Sequence, residues 1–381
     1  MLYDVGFKVG HATRSIKECI RLANADNPTK TAMLDTRLIL GDEKLYQTLV
    51  ERFQKECIQG KEAEYLEVRR KDFLSRHQKH GKTVYLQEPH IKEGCGGLRD
   101  YQNVLWVSRV KLGAKGLEDL VENRMLSRSA YGAMTKAHDF LMRVRNELHW
   151  SERPCTDHLT LRLQGVVATH LGYPQRSMLR RIEAFMRDYY RHTRSLYMHS
   201  TSLMQAFRLL QEEERTTGIV SFLARRAVNE EHFDGFFSRK ELIYPEHPEI
   251  FIEDPGRLMR LFRHTQQRSL RLGPAIRKLV KRHQDLVNKT FRYSKANRVV
   301  FLEILGARGE VGRTLRQMHR VGFLGKYIPE FGDLDCLVQH EFFHRFTADE
   351  HTLRCIEILD SLTDEPDPRF ALYKKVFHEL E

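Results

Sequence analysis

Residues 88–106 read EPHIKEGCGGLRDYQNVLW, and the organisation of the chain follows from them. Gly94, Gly96 and Gly97 fall within four positions, so the backbone there can take positive φ and approach a partner closely. Lys92 precedes them and Arg99-Asp100 follows. From Leu98 the apolar and large residues Leu98, Tyr101, Gln102, Leu105 and Trp106 take up a 3.6-residue period, which predicts a helix opening directly after the glycines. A Gly-rich turn feeding a helix offers N–H groups and a positive dipole end to a phosphate. The same spacing also describes a tight turn with a charged rim, and spacing alone favours that reading.

Working outward, the 381 residues suffice for two or three domains with their own cores. At 41% hydrophobic and 30% charged, the composition is that of a soluble globular protein. No apolar run reaches the length of a membrane span, and MLYDVGFKVG lacks the apolar region and cleavage site of a signal peptide. Six scattered cysteines with no Cys-x-x-Cys pair suit a reducing, cytoplasmic setting. The net charge of +12 is concentrated between Arg257 and Arg298, where 13 Lys/Arg meet the single acid Asp285. Such a block invites a nucleic-acid reading. However, Ile276, Leu279, Val280, Val287 and Phe291 mark an amphipathic helix, so Arg277, Lys278, Lys281 and Arg282 read as its solvated face.

In chain order, Phe7–His11 reads as a short strand and Ser15 to Glu18 as a capping box opening a helix. Alternation from Thr31 to Leu40 predicts a second strand carrying Asp35, ended by Gly41-Asp42, with a helix following to about Ile58. A charged helix over 61–79 and a short strand, Lys82–Leu86, lead into the Gly-rich stretch. Helices then run to about Gln211, the last of them apolar at Phe185, Met186, Tyr189, Leu196, Met204 and Phe207. The pattern weakens between Thr216 and Pro255, where a domain boundary is expected. The basic helical block, two more helices and a final helix starting near Thr347 complete the chain.

The stretch EPHIKEGCGGLRDYQNVLW resembles the signature P-N-(I/V)-K-E-G-P-G-G-L-R-D of the bifunctional PII uridylyltransferase/uridylyl-removing enzymes, with Cys95 in place of the usual proline. VGFKVGHATRSIKEC and TAMLDTRLILGD upstream, and FLMRVRNELHW, VATHLGY, FMRDYYRHT, LRQMHRVGFLGKYIPEFG and HRFTADEHTLRCIEILDSL downstream, follow the same family's order. The resemblance implies a predominantly helical α+β fold. Its parts would be a partial nucleotidyltransferase α/β core over 1–60, a helical domain with the Gly-rich signature over 61–215, a connector with the basic block over 216–335, and the start of an all-α HD domain over 336–381. It also implies transfer of UMP from UTP to a PII-type signalling protein, its hydrolytic removal, Mg²⁺ for the transfer, and a divalent metal at the HD site. Glutamine status would set the balance through regions not found here.

By the same resemblance Asp35 is the third carboxylate of a polymerase-β-type site, whose acids hold the metal ions of nucleotidyl transfer. The residues alone describe an aspartate paired with Arg37. No Asp-x-Asp precedes it, so a complete transferase site is not expected in this chain. Lys8, His11, Arg14, Lys92 and Arg99, with Gly94, Gly96, Gly97 and Asp100, are the expected nucleotide-binding set. For Asp100, capping or orienting a neighbouring base stands beside substrate contact. His351 matches the first metal ligand of an HD domain, without the later His-Asp and Asp; alone, it reads as an ordinary helix histidine. Finally, His340-Glu341-Phe342-Phe343-His344 fits the zinc-protease pattern, with Glu357 as a possible third ligand. A pattern this short arises by chance in a chain holding 19 histidines, and the resemblance already accounts for the segment.

Overall fold

The computed structural model describes residues 10–216, 230–239, 241–337 and 346–379. It divides into two compact units. The first holds the described residues up to Thr83, with His90–Arg143 and His192–Glu214; the second holds Val84–Pro89, Val144–Arg191 and the described residues from Arg215 onward. The fold is predominantly helical, with one small four-stranded sheet. Among the described residues no helix is long and apolar enough to cross a membrane.

The first unit opens with α1, Ile16–Ala25, whose capping box is the expected one: Ser15 Oγ accepts from the Glu18 amide, and the Ser15 amide donates to Glu18 Oε2 at 2.8 Å. The strand expected over 31–40 does not form. Asp26 instead caps a second helix, α2, Asn27–Leu34, accepting the Thr29 amide at 2.8 Å, with Pro28 in its first turn. An acidic cap followed by Asn-Pro sets helical dihedrals before any alternation can be read out, and here that local signal wins. Asp35 therefore ends a helix rather than riding on a strand, and Ile39 and Leu40 beyond it are exposed. Of the other expected strand, residues 7–9 lie outside the described residues, and Gly10 and His11 take no regular structure. Instead of an α/β core, the described residues of 10–60 form helices: α1, α2, and α3, Glu43–Phe53, continued by a π-helical turn to Ile58. Ile20, Ala23, Phe53, Cys57, Ile58, Tyr65, Trp106 and Val110 form their core. Two further helices carry the site: α4, Glu62–Lys79, and α5, Leu98–Leu112. The chain continues with α6, Leu117–Glu122, in this unit; α7, Arg128–Ser151, shared between the two units; α8, Leu161–His170, in the second; and α9, Met178–Thr216, again shared between the two. On α9 the six apolar residues singled out by periodicity are all buried.

In the second unit, the strand expected over Lys82–Leu86 reduces to one bridge between Leu86 and Phe346. The sheet lies instead where the sequence pattern weakens. It is formed by β1, Glu231–Phe233; β2, Phe236–Arg239; β3, Leu242–Pro245; and β4, Arg271–Leu272, in that order, with only β3 and β4 parallel. Asp234 (φ 52°) and Gly235 (φ 80°) join β1 to β2. Two consecutive positive φ values in an Asp-Gly pair make the hairpin turn whose twist matches that of its strands.

The basic block is not one helix. It comprises α11, Arg257–Gln267; β4; α12, Pro274–Arg282; and α13, Lys289–Tyr293, following the short α10, Ile250–Glu253. Ile276, Leu279, Val280, Val287 and Phe291 are buried as expected. Five of its 13 cations, however, are paired with acids from outside the block: Arg260 with Asp234 and Asp254, Arg257 with Glu253 and Asp234, Arg263 with Glu303, Arg268 with Glu231 and Arg271 with Glu241. The cations at the start of the block are thus ion-paired, whereas Lys278, Lys281 and Arg282 lie exposed on α12, as the amphipathic pattern predicts.

The hairpin carboxylate of Asp234 takes Arg260 at 2.7 and 2.8 Å and His264 Nε2 at 3.1 Å. Burial alone would raise this carboxyl, but the bonds from Arg260 and His264 outweigh it and bring it down from 3.8 to about 2. A depressed folded pKa stabilises fully above the unfolded value and is lost as pH falls through the folded one. Urea midpoints of the wild-type chain should therefore drop between about pH 4 and pH 2 more than those of Asp234→Asn. Asparagine keeps the left-handed turn but not the charge. For so accessible a pair the effect above pH 4 is on the order of 1 kcal/mol. Parallel acid profiles for the two chains would remove the pair from the account of stability.

Candidate functional site

The glycines of the signature close on the protein's own backbone. His90 O accepts the Gly94 amide at 2.8 Å, Ile91 O that of Leu98 at 3.1 Å, Lys92 O that of Arg99 at 2.9 Å, and Gly94 O that of Gly97 at 3.0 Å. A Cβ on Gly94 would stand 2.6 Å from His90 O, and one on Gly97 would stand 2.7 Å from Ile91 O. Gly96 is the tightest position: at φ +69° its Cβ would lie 2.0 Å from the carbonyl oxygen of Thr193 on α9. The amides of Gly94, Gly96, Gly97, Leu98, Arg99 and Asp100 all donate within the protein. In this conformation they are not open to a phosphate, and the glycines serve the turn itself.

Asp100 lies beneath that turn, fully buried. Its Oδ2 accepts the Gly96 amide at 2.8 Å, its Oδ1 takes Arg76 Nη2 at 2.5 Å, and His77 Nε2 lies 2.9 Å from both oxygens. Arg76 also donates through Nη1 to Glu93 O at 2.9 Å, and His77 packs between Phe73 and Tyr197. The orienting role left open for Asp100 is the one this geometry fits. Sequence reasoning missed Arg76 and His77. The available signal was their position with Phe73 on one apolar face of α4, at spacings of three and four residues, where a charged residue needs a buried partner.

The cations at the rim face a different setting. Lys92 is half-buried with Nζ 4.0 Å from Glu93 Oε1. Arg99 donates to Glu93 Oε1 at 3.2 Å and to Gln102 Oε1 at 3.0 Å, and its guanidinium lies 5.3 Å from the centre of the Trp106 ring. The Trp106 indole donates to Asp35 Oδ2 at 2.8 Å, so one tryptophan joins two of the expected site residues. Asp35 Oδ1 takes Arg109 Nη1 at 2.8 Å, in place of the Arg37 partner expected from sequence. Both oxygens of Asp35 thus face donors, one of them a guanidinium, a setting that does not fit a metal ligand. His11 and Arg14 are exposed ahead of α1, and Lys8 lies outside the described residues.

After α13 come α14, Lys295–Gly306; α15, Val311–Arg320; α16, Phe323–Tyr327; α17, Pro329–Asp333; α18, Ala348–Ser361; and α19, Ala371–Glu379. His351 sits exposed in the first turn of α18, with Nδ1 3.7 Å from Cys355 Sγ. The single group of three candidate metal ligands among the described residues contains neither His351 nor Asp35. His340, Glu341 and His344 lie outside the described residues. Glu357, the third ligand a protease would need, is engaged by Arg316, with Nη2 at 2.9 Å from Oε2.

The turn makes a clear mechanical prediction. Asp100→Ala leaves the Arg76 guanidinium buried without its carboxylate and should cost about 3–5 kcal/mol in urea unfolding. Gly96→Ala, strained in both φ and space, should also destabilise strongly, whereas Lys92→Ala should stay within about 0.5 kcal/mol of the wild type. Wild-type stability in Gly96→Ala would show that the turn does not need its glycine.

Comparison with known proteins bears on the same residues. The family model described as GlnD PII-uridylyltransferase matches residues 64–204, which span the turn, α4 and α5. A second, described as the Uridylyltransferase GlnD third domain, matches residues 236–327. The chain is 35% identical over 364 residues to the bifunctional uridylyltransferase/uridylyl-removing enzyme of Phenylobacterium zucineum, covering 94% of this chain and 38% of that protein. It is 32% identical over 386 residues to the enzyme of the same name from Rhodopseudomonas palustris, covering 100% of this chain and 41% of that protein. The chain therefore spans about two-fifths of the length of these curated relatives. No solved structure matches. With two family models matched in order and two such relatives aligned along nearly all of its residues, the chain belongs to the PII-uridylyltransferase family.

Proposed function

We propose that this chain carries the nucleotide-facing scaffold of an enzyme that moves UMP from UTP onto a PII-type protein and hydrolyses it off again, in the cytoplasm. The observation that carries this reading is the rim of the Gly-rich turn. Lys92 and Arg99 stand there as cations on a backbone that the Asp100–Arg76–His77 cluster holds rigid beneath them. Positive groups that do not have to reorganise are what a transferring phosphoryl group requires. In this reading Lys92 and Arg99 contact the phosphates, and Trp106 holds Arg99 in place through its ring. Gly94, Gly96, Gly97 and Asp100 act by positioning them. His11, Arg14 and Lys8 remain candidates for the same role.

Mg²⁺ would neutralise charge on the triphosphate during transfer. In the described arrangement Asp35, held by Trp106 and Arg109, is not placed to bind it. His351 is the family's candidate for one ligand of the hydrolytic metal. A single imidazole does not hold a catalytic ion, which takes three protein ligands and an open position.

Two measurements follow. Incubated with labelled UTP, Mg²⁺ and a PII protein, the 381-residue chain should transfer no detectable label and remove none from a uridylylated PII. Robust turnover in either direction would overturn the assignment of Asp35 and His351 to incomplete sites. In a relative of full length, Lys92→Ala and Arg99→Ala at the matching positions should weaken UTP binding about tenfold or more with an unchanged melting profile. Unaltered UTP affinity in both would reduce the turn to a purely structural element.

A further inference from the structure

We propose that His319, Asp335 and Asp349 form a binding site for one divalent transition-metal ion of the zinc class. The three residues reach the site from different parts of the second unit. His319 comes from the last turn of α15, Asp335 from the loop after α17, and Asp349 from the first turn of α18. One ligand atom from each lies within 4.8 Å of the others.

The independent sign of a ligand is Asp349. Its side chain is fully buried, yet neither carboxylate oxygen meets a donor in full hydrogen-bond geometry, although the His319 and Thr347 side chains and the Glu350 amide lie close enough to bear on its charge. His319 Nε2 stands 3.1 Å from Asp349 Oδ2, but off the direction a hydrogen bond needs, and that nitrogen is likewise unpartnered. A carboxylate withdrawn from water with donors only near its oxygens, and none in good geometry, is incompletely compensated. Here a second carboxylate, Asp335, faces it, which adds repulsion. A dication removes both penalties: two carboxylates cancel its charge, and a neutral imidazole supplies the third donor.

The donor set chooses the class of ion. Imidazole nitrogen suits zinc and its neighbours in the first transition row, whereas magnesium and calcium prefer oxygen alone. Ligand bonds of about 2.0–2.2 Å set tetrahedral ligands about 3.3 Å apart. The His319–Asp349 separation already meets that spacing, and Asp335, half-buried on a loop, has only to close in. The framework around them is tied down. Phe331 packs edge-on against the His319 ring, the Ala348 amide bonds to Leu337 O at 3.1 Å, and the Thr347 amide bonds to Tyr85 O at 3.2 Å. Three protein ligands leave a fourth position for water or a further group.

The test uses the whole chain, stripped with a chelator, dialysed against Zn²⁺ and analysed for metal content, with melting temperature followed in parallel. The wild type should retain one zinc per chain and melt higher with it, and Mg²⁺ should not substitute. Asp335→Asn should lose the metal and the metal-dependent rise in melting temperature, while without zinc it melts like the stripped wild type; His319→Gln should do the same. Asp349→Asn is the less decisive variant, since a buried helix-start residue can disturb folding. His351→Ala, His340→Ala and His344→Ala should keep the zinc. Absence of bound zinc in the wild type, retention of zinc by Asp335→Asn and His319→Gln, or its loss on His340→Ala would each overturn the proposal. Equal binding of Mg²⁺ would overturn the class of ion.

Discussion

The buried carboxylate of Asp100 is the constraint on which the first unit's signature depends. A charge taken wholly out of water must be matched nearly bond for bond. Asp100 meets this with a guanidinium and an imidazole from adjacent residues of α4 and a backbone amide from the turn. Each of those partners is thereby fixed. The Gly96 amide can reach the carboxylate only if the backbone turns through positive φ, and at that φ the position has no room for a side chain. Arg76 can reach only if α4 lies alongside α5, and its second nitrogen then holds the Glu93 carbonyl at the start of the turn. One electrostatic requirement therefore sets a loop conformation and a helix pairing together.

Charge behaves the same way in the second unit, with less at stake per pair. The block from Arg257 to Arg298 carries a surplus equal to that of the whole chain, and acids from the hairpin and from α14 meet part of it. Asp234 is central because the hairpin turn presents its carboxylate to Arg260 and His264 on one face of α11. Such pairs fix how a helix docks more than they deepen stability, since each partner keeps part of its hydration.

Three carboxylates in this chain share a chemistry and differ in what surrounds them. Asp100 is saturated by donors and holds a turn. Asp35 faces an indole and a guanidinium, and is partly exposed. Asp349 faces an imidazole off-line and a second carboxylate, with no donor in bonding geometry. Only the last has the arrangement a cation would complete. Motif position marked Asp35 and left Asp349 unmarked, although the two lie in equally recognisable stretches.

What the sequence determined by itself was whatever rests on short-range chemistry or on family likeness. The Ser15–Glu18 capping box, the helix opening after Gly97 and the buried stripe of α9 are legible because each depends on residues within a few positions of one another. The family follows from the ordered motifs around the Gly-rich signature. The alternation over 31–40 misled because a nearer signal, Asp26 capping Asn27-Pro28, governs the same residues. The Asp234-Gly235 hairpin was equally readable but sat in a stretch whose other residues gave no clear period. Tertiary structure alone decided the partners of Asp100, the acids that pair with the first arginines of the basic block, the donors around Asp35 and the meeting of His319 with Asp335 and Asp349. Most of these contacts join side chains far apart in the chain. For Asp100 and Asp349 the energy comes from burial and low dielectric, which exist only once the helices have packed.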